Sequence, residues 1–327
     1  MCSNHYEPCP ASTQRTVFEK IAGEMEAFAR ISSYRAVPGD LHLLTEETFD
    51  TGDVSLNIVR GPANGPPLVL LHGVLRRWSD YVPLMESLTA RWQIFGIDFR
   101  GHGESGFTTG NYLVTHYVRD AVAVVREMLT EPCVIYGHSL GAMAAAGAAA
   151  EVPERVRGLV LEDPPFETMG SRIRDTAFHS LFVGYDEILE PDISVTQLAG
   201  LLAEVKVRTP GSDVVGRLGD IRDGVSLRFM ASCLTLIDPD VLTPIIEGRW
   251  LEGYAWETVL QEIPCPTLVL QSDTTCGGML TDNDARRAKE LITKCILMKY
   301  PQAGHQLHWT ALPQILPAIL GFLESMR

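Results

Sequence analysis

The sequence predicts an α/β fold: a mostly parallel central sheet flanked by helices, with a helical cap inserted after the sixth strand. Three observations carry this. Short apolar runs recur at 67–72, 93–98, 133–136, 157–162, 266–271 and 295–300, most of them separated by helix-length segments. The runs are continuous rather than alternating, as expected for strands buried on both faces of a helix-covered parallel sheet. The rhythm stops between about 165 and 250, where helical patterns replace confident strands. Finally, Cys133-Val134-Ile135-Tyr136 runs into a glycine-flanked turn and then into a nearly bulk-free helix, Ala142 to Ala150.

In chain order, residues 1–47 form an N-terminal helical extension, because Val17, Phe18, Ile21, Met25, Phe28 and Ile31 fall at helical spacing within 11–35. A hairpin is expected around Gly52, within 48–60. Residues 48–164 make the first part of the core and 251–327 the second. The cap spans 165–250, with helical patterns at Ile188–Val205 and Arg228–Leu236. The alanine run at 144–150 is packed helix, not linker. Phe166, Met169, Phe178, Phe182, Tyr185, Phe229 and Met230 are either cap core or the lining of an apolar pocket.

Composition narrows the classes of function. Of 327 residues, 46% are hydrophobic, enough for a sizeable core, and the net charge is −14. That acidity argues against a nucleic-acid partner, which needs clustered Lys and Arg, and disfavours an anionic membrane surface. The seven cysteines form no C-x-x-C pair, so no zinc or redox motif is indicated. The N-terminus lacks a basic segment followed by an apolar one, and no stretch approaches the roughly 18 apolar residues of a membrane span. A cytoplasmic protein with a small-molecule partner is the expectation.

The chemistry centres on Gly137-His138-Ser139-Leu140-Gly141. Strand, G-x-S-x-G and helix together make a nucleophile elbow, in which the serine takes a strained backbone conformation and its flanking glycines avoid a clash. Such a serine needs a base, a group to orient the base, and donors for a developing oxyanion. The base is expected to be His305, in the loop after the last strand, with His308 as the alternative. The donors are the backbone N–H groups of Val74, after the His72-Gly73 turn, and of Leu140. His72 and His102 read as histidines that hold turns. Arg76, Arg77 and Trp78 follow the oxyanion loop, either as a solvated helix start or within reach of a substrate carboxylate or aromatic group.

Taken together, H-G at 72–73, D-x-R-G-H-G-x-S at 98–105, G-H-S-L-G at 137–141 and G-H at 304–305 resemble the α/β-hydrolase superfamily in order and spacing. The resemblance covers roughly residues 48 to 327. It implies a serine hydrolase acting on a small-molecule acyl substrate, an ester or lactone, through an acyl-enzyme, with no metal or organic cofactor. Serine at the elbow argues against the branches that use an Asp nucleophile. A C–C bond hydrolase, thioesterase or amidase with the same residues stays open, as does a non-catalytic ligand receptor on this fold. The chain departs from the family's commonest pattern at the acid, where Thr275 stands at the expected position. Asp163, ending the sixth strand, and Asp273, after the seventh, are the substitutes, with Glu162, Asp282 and Asp284 behind them.

Overall fold

The computed structural model describes residues 44–208 and 214–327. The helix expected at 11–35 lies outside the described residues. Eight strands form one sheet: β1 (Thr45–Asp50), β2 (Ser55–Arg60), β3 (Pro67–Leu71), β4 (Gln93–Ile97), β5 (Cys133–His138), β6 (Val156–Glu162), β9 (Thr267–Gln271) and β10 (Cys295–Lys299). Their spatial order is β1-β2-β4-β3-β5-β6-β9-β10. The β1–β2 and β2–β4 pairs are antiparallel, and every later pair in this sheet is parallel. β1 starts at Thr45, three residues before the expected hairpin.

The continuous apolar runs are explained by two cores, one on each face of the sheet. Val69 and Leu71 of β3, Ile135 of β5 and Leu159 and Leu161 of β6 pack on one side. Leu68 and Leu70, Val134 and Tyr136, and Val160 from the same strands pack on the other. Side chains alternate along a strand, so covering both faces requires every position to be apolar. The exception is β10, at the sheet's edge. Its Cys295 and Leu297 pack on the core, whereas Ile296 and Met298 are exposed. The run at 295–300 therefore does not mark a strand buried on both faces.

The alanine-rich helix Leu140–Glu151 is buried almost end to end. Its small side chains let it lie against helix Val114–Ala123. A Cβ at Gly147 would stand 2.8 Å from Val118 Cγ1, so this crossing needs glycine.

Between β6 and β9 the chain leaves the sheet for helices Ala177–Asp186, Val195–Glu204 and Gly224–Leu234. Ser194 caps the second through a reciprocal bond pair with Gln197, and the Asp223 carboxylate accepts from Ser226 N–H (2.7 Å) to start the third. The second helix begins seven residues after the expected Ile188, and the third is shifted, starting four residues before the expected Arg228 and ending two before Leu236. This stretch also holds an antiparallel ribbon, β7 (Lys206–Arg208) with β8 (Val215–Arg217), where no strand was expected. Three-residue strands are too short to leave a period-two pattern. The segment is tied to the rest by Tyr112, whose hydroxyl donates to Asp238 Oδ2 (2.7 Å), and by Thr168, which donates to the Met279 carbonyl (2.8 Å). Among the described residues no single helix is long and apolar enough to cross a membrane.

Candidate active site

Ser139 sits between the end of β5 and the helix Leu140–Glu151, with φ 54° and ψ −115°. A non-glycine residue with positive φ is strained, and the surroundings hold it there. Its own N–H donates to the Glu162 carbonyl (2.9 Å), tying the turn to β6. A Cβ on Gly141 would run into the Leu71 carbonyl, and one on Gly137 into the carbonyl of Gly141. The two glycines of the pentapeptide are thus fixed by close backbone approach. Gly73 is close as well: a Cβ there would lie 3.3 Å from Ser139 Cβ.

The loop after β3 is held open by two neutral histidines. His72 Nδ1 donates to the Gly73 carbonyl (2.8 Å) and its Nε2 accepts from Phe99 N–H (3.0 Å). His102 Nδ1 donates to the Arg100 carbonyl (2.9 Å) and its Nε2 accepts from Leu75 N–H (3.1 Å). Burial pushes His72 down to about 4 and His102 to about 3, so both stay uncharged. With both ring nitrogens committed to backbone, neither has a nitrogen left for proton transfer. Leu75 takes φ 64°, the bend that follows Val74. No acceptor among the described residues takes the N–H of Val74 or of Leu140.

His305 and Asp163 meet directly. The Nδ1 of His305 lies 2.6 Å from Asp163 Oδ2. Asp163 is fully buried at φ 43°, and it also accepts from Met279 N–H (2.8 Å), Ser272 N–H (3.1 Å) and Leu280 N–H (3.3 Å). Burial alone would raise its pKa. The His305 contact, with the Met279 and Ser272 donors, outweighs burial and holds the carboxyl below its ordinary value. Asp273 is not at the site. Its carboxylate accepts from Thr275 N–H (2.9 Å), Thr275 Oγ1 (2.7 Å) and Gln302 N–H (3.0 Å), closing its own turn. Asp282 binds Gln271 and Lys299, and Asp284 binds Arg172.

The imidazole of His305 is 19% exposed and packs on the His138 ring at 4.6 Å between centroids. His138 Nε2 donates to the His305 carbonyl (3.0 Å), linking the serine's neighbour to the histidine loop. Among the described residues, Ser139 Oγ makes no hydrogen bond, to His305 or to any other group.

The fold agrees with what known proteins show. A family model described as the alpha/beta hydrolase fold matches residues 66–312, three quarters of the chain. The chain belongs to the α/β hydrolase family. Among curated relatives, a 2-(acetamidomethylene)succinate hydrolase of Mesorhizobium japonicum is 35% identical over 121 residues, covering 36% of this chain and 43% of that protein. A pimeloyl-[acyl-carrier protein] methyl ester esterase of Xanthomonas oryzae pv. oryzae is 35% identical over 130 residues, covering 39% and 49%. The chain thus spans less than half the length of these relatives. The crystal structure of E-2-(acetamidomethylene)succinate hydrolase superposes with a TM-score of 0.69 at 20% identity, over 86% of this chain and 99% of that one, which shows the shared fold.

Beside the site, this α/β hydrolase buries a second histidine cluster. His308 Nδ1 lies 2.8 Å from Glu162 Oε1 and its Nε2 3.2 Å from Asp80 Oδ2. The Tyr136 hydroxyl also donates to Glu162. Burial opposes charge on His308, but the two carboxylates prevail and push its pKa up to about 9. An imidazolium with both nitrogens engaged is a poor base, which is why His308 is not placed as the alternative base. Asp80, His138 and His308 bring ligating atoms within 4.8 Å of one another, a metal-like spacing. His308 would have to release its proton to ligate, so a metal ion at this cluster would compete with protonation.

A narrow cleft adjoins the site, lined by Arg76, Arg222, Ser226, Met230, Gln306 and Trp309. Arg76 lies over the rings of Phe229 (5.8 Å) and Trp309 (5.7 Å), whereas Arg77 turns to Ser79 (3.0 Å). Of the side chains read as either cap core or pocket lining, Phe166, Met169, Phe182 and Tyr185 are buried core, Phe178 packs against it, Phe229 lies against Arg76 and Trp309, and Met230 lines the cleft. Sequence reasoning missed Arg222, Glu162 as partner of His308, and Asp80. Only a charged residue inside an otherwise apolar run, such as Glu162 after Leu161, signals such burial in one dimension.

Proposed function

We propose that this α/β hydrolase cleaves a small-molecule carboxylic ester or lactone through a covalent acyl-enzyme formed on Ser139. The observation that carries the reading is the 2.6 Å contact of His305 Nδ1 with buried Asp163, on the loop that packs against the elbow. With Nδ1 facing a carboxylate, Nδ1 holds the proton and Nε2 is left as the basic nitrogen. His305 Nε2 takes the Ser139 hydroxyl proton as Oγ attacks the substrate carbonyl. The negative oxygen of the tetrahedral intermediate accepts from the Val74 and Leu140 N–H groups. The protonated imidazole then gives its proton to the leaving oxygen, and the acyl group stays on Ser139. Water, deprotonated by His305 in the same way, releases the acid and restores the serine. The contact with Asp163 keeps the tautomer and stabilises the transient imidazolium.

Apo geometry at such sites is often looser than in the substrate complex, so the missing Ser139 Oγ bond fits a serine that engages His305 when substrate arrives. The helices between β6 and β9 serve as a cap that shapes the pocket over Ser139. A relative named as a methyl ester esterase supports ester chemistry. The test is labelling with a fluorophosphonate and turnover of p-nitrophenyl esters by wild type and Ser139→Ala. Wild type should react and turn over repeatedly, and the variant should do neither. Labelling that survives Ser139→Ala removes the assignment, and stoichiometric turnover alone would favour a ligand receptor on this fold.

A further inference from the structure

The cleft beside the candidate site holds two guanidiniums, and no anion among the described residues touches either. Arg76 is only 9% exposed, yet among the described residues neither Arg76 nor Arg222 makes an ion pair or a side-chain hydrogen bond. Arg100, the other deeply buried arginine, has its partner in Asp120 (2.6 Å). Two guanidiniums in one cleft repel each other, and an anion between them relieves that repulsion. Burial, followed by the charge of Arg76, lowers the pKa of Arg222.

No carboxylate touches either guanidinium. Asp80 feels the charge of Arg76 but lies beyond ion-pair reach of it, its Oδ2 bonded to His308 and its Oδ1 without a hydrogen-bond partner. Asp223, next to Arg222 in sequence, caps its helix through Ser226 N–H. Tyr185, whose pKa burial raises and both arginines oppose, is neutral. The remaining lining is Ser226, Met230, Gln306 and Trp309.

The cleft's position ties it to the chemistry. Arg76 closes the oxyanion turn, its N–H donating to the Gly73 carbonyl (3.2 Å), and Gln306 follows His305 directly. An anion between the guanidiniums would therefore sit on the leaving-group or acyl side of a carbonyl held at Ser139. We propose that Arg76 and Arg222 form a carboxylate subsite, so that the preferred substrates are anionic esters such as half-esters of short dicarboxylic acids. The proposal rests on the serine-hydrolase reading for its location, but not for the anion binding itself. Guanidinium matches a carboxylate through two parallel N–H donors, and such charge-assisted bonds are the strong ones.

Two measurements test it. The first compares kcat/KM for p-nitrophenyl hydrogen glutarate with that for p-nitrophenyl butyrate, which differs by the carboxylate. Wild type should favour the half-ester by roughly tenfold or more, and Arg222→Met or Arg76→Met should reduce that ratio by a similar factor. A partly misfolded variant loses both activities together and leaves the ratio untouched. A wild-type ratio near one, or a ratio indifferent to both substitutions, overturns the proposal. The second is calorimetric binding of glutarate to Ser139→Ala, with and without Arg222→Met, which needs no catalysis. Binding weakened roughly tenfold by Arg222→Met supports the subsite even if no ester is hydrolysed, in which case only the hydrolase reading falls. Equal binding, or none, overturns the subsite.

Discussion

Glu162 grips His308 from two sides at once: its Oε1 accepts from the His308 backbone N–H at 3.0 Å and stands 2.8 Å from Nδ1 of the same residue. The next residue, Asp163, takes Nδ1 of His305. Two consecutive carboxylates at the end of β6 therefore hold His305 of the loop and His308 of the short helix Leu307–Thr310 that follows it. They can do so because Asp163 turns into the left-handed region at φ 43°, which aims adjacent side chains at different targets. The loop that presents His305 is fixed by a buried ion pair as well as by the contact at the site itself.

The two candidate acids separate cleanly under substitution. Asp163→Asn should lower kcat for an activated ester by roughly 10³- to 10⁴-fold, the scale set when a triad carboxylate is neutralised and the imidazole tautomer is lost. Asp273→Asn, which touches only Thr275 and Gln302, should stay within a few-fold of wild type. Steady-state kinetics on the two purified variants decide the matter. Comparable losses would return Asp273 to the site.

Stability should peak near pH 6.5. His308, with its folded pKa raised to about 9, binds a proton in the native state that the unfolded chain releases above about 6.5. Its contribution is complete below 6.5 and is lost as pH rises through 9. His72, His102 and His138 are shifted the other way by burial, to about 4, 3 and 3. Below 6.5 the unfolded chain takes up their protons and the native state does not, so stability falls as pH falls. Each proton gives a slope of about 1.4 kcal/mol per pH unit. The acid limb, with these three histidines and His116, whose pKa burial also lowers, should be steeper than the alkaline limb, with one. Urea unfolding between pH 4.5 and 9 measures both limbs, and a plateau from 6.5 to 9 would contradict the charged His308.

The sheet was legible in sequence because burial on both faces imposes a composition, and Val69 and Leu70 are apolar for opposite faces. The elbow was legible because Gly137 and Gly141 are demanded by backbone atoms, whatever the rest of the chain does. The acid was harder to read. Asp163 and His305 lie 142 residues apart, and nothing local to Asp163 distinguishes a partner for imidazole from a residue bonding its own turn. In fact it does both, since Met279, Ser272 and Leu280 also donate to it. Asp80 and Arg222 carry no periodicity or motif, because what matters about them is which charges approach in space.

His102 should act on catalysis from a distance. It accepts the Leu75 N–H and so fixes the bend that presents Val74. His102→Ala should reduce kcat about tenfold or more, less than outright loss of an oxyanion donor, which costs roughly 10²- to 10³-fold. KM should move little, since the developing oxyanion is the species affected. His102→Gln, whose amide oxygen can accept from Leu75, should recover part of kcat. An effect confined to thermal stability, with kcat unchanged in both variants, would mean that His102 only packs the turn.

Two glycine-to-alanine changes should move stability in opposite directions. In Gly141→Ala the new methyl meets the Leu71 carbonyl, a backbone atom of the central strand β3 that cannot swing aside. Relief requires the elbow helix to shift from the sheet, a cost of about 3 kcal/mol or more. Because that helix starts at Leu140, the same shift carries one proposed oxyanion donor with it, so residual folded protein should also label slowly with fluorophosphonate. Gly321, in the C-terminal helix Leu312–Glu324, has nothing within 4 Å of its would-be Cβ. Gly321→Ala should therefore raise stability by about 0.5–1 kcal/mol through helix propensity alone. Denaturant midpoints for both variants, with the m-value checked for constancy, report the two signs. A Gly141→Ala protein as stable as wild type would mean that the close approach of the elbow to β3 is wrong.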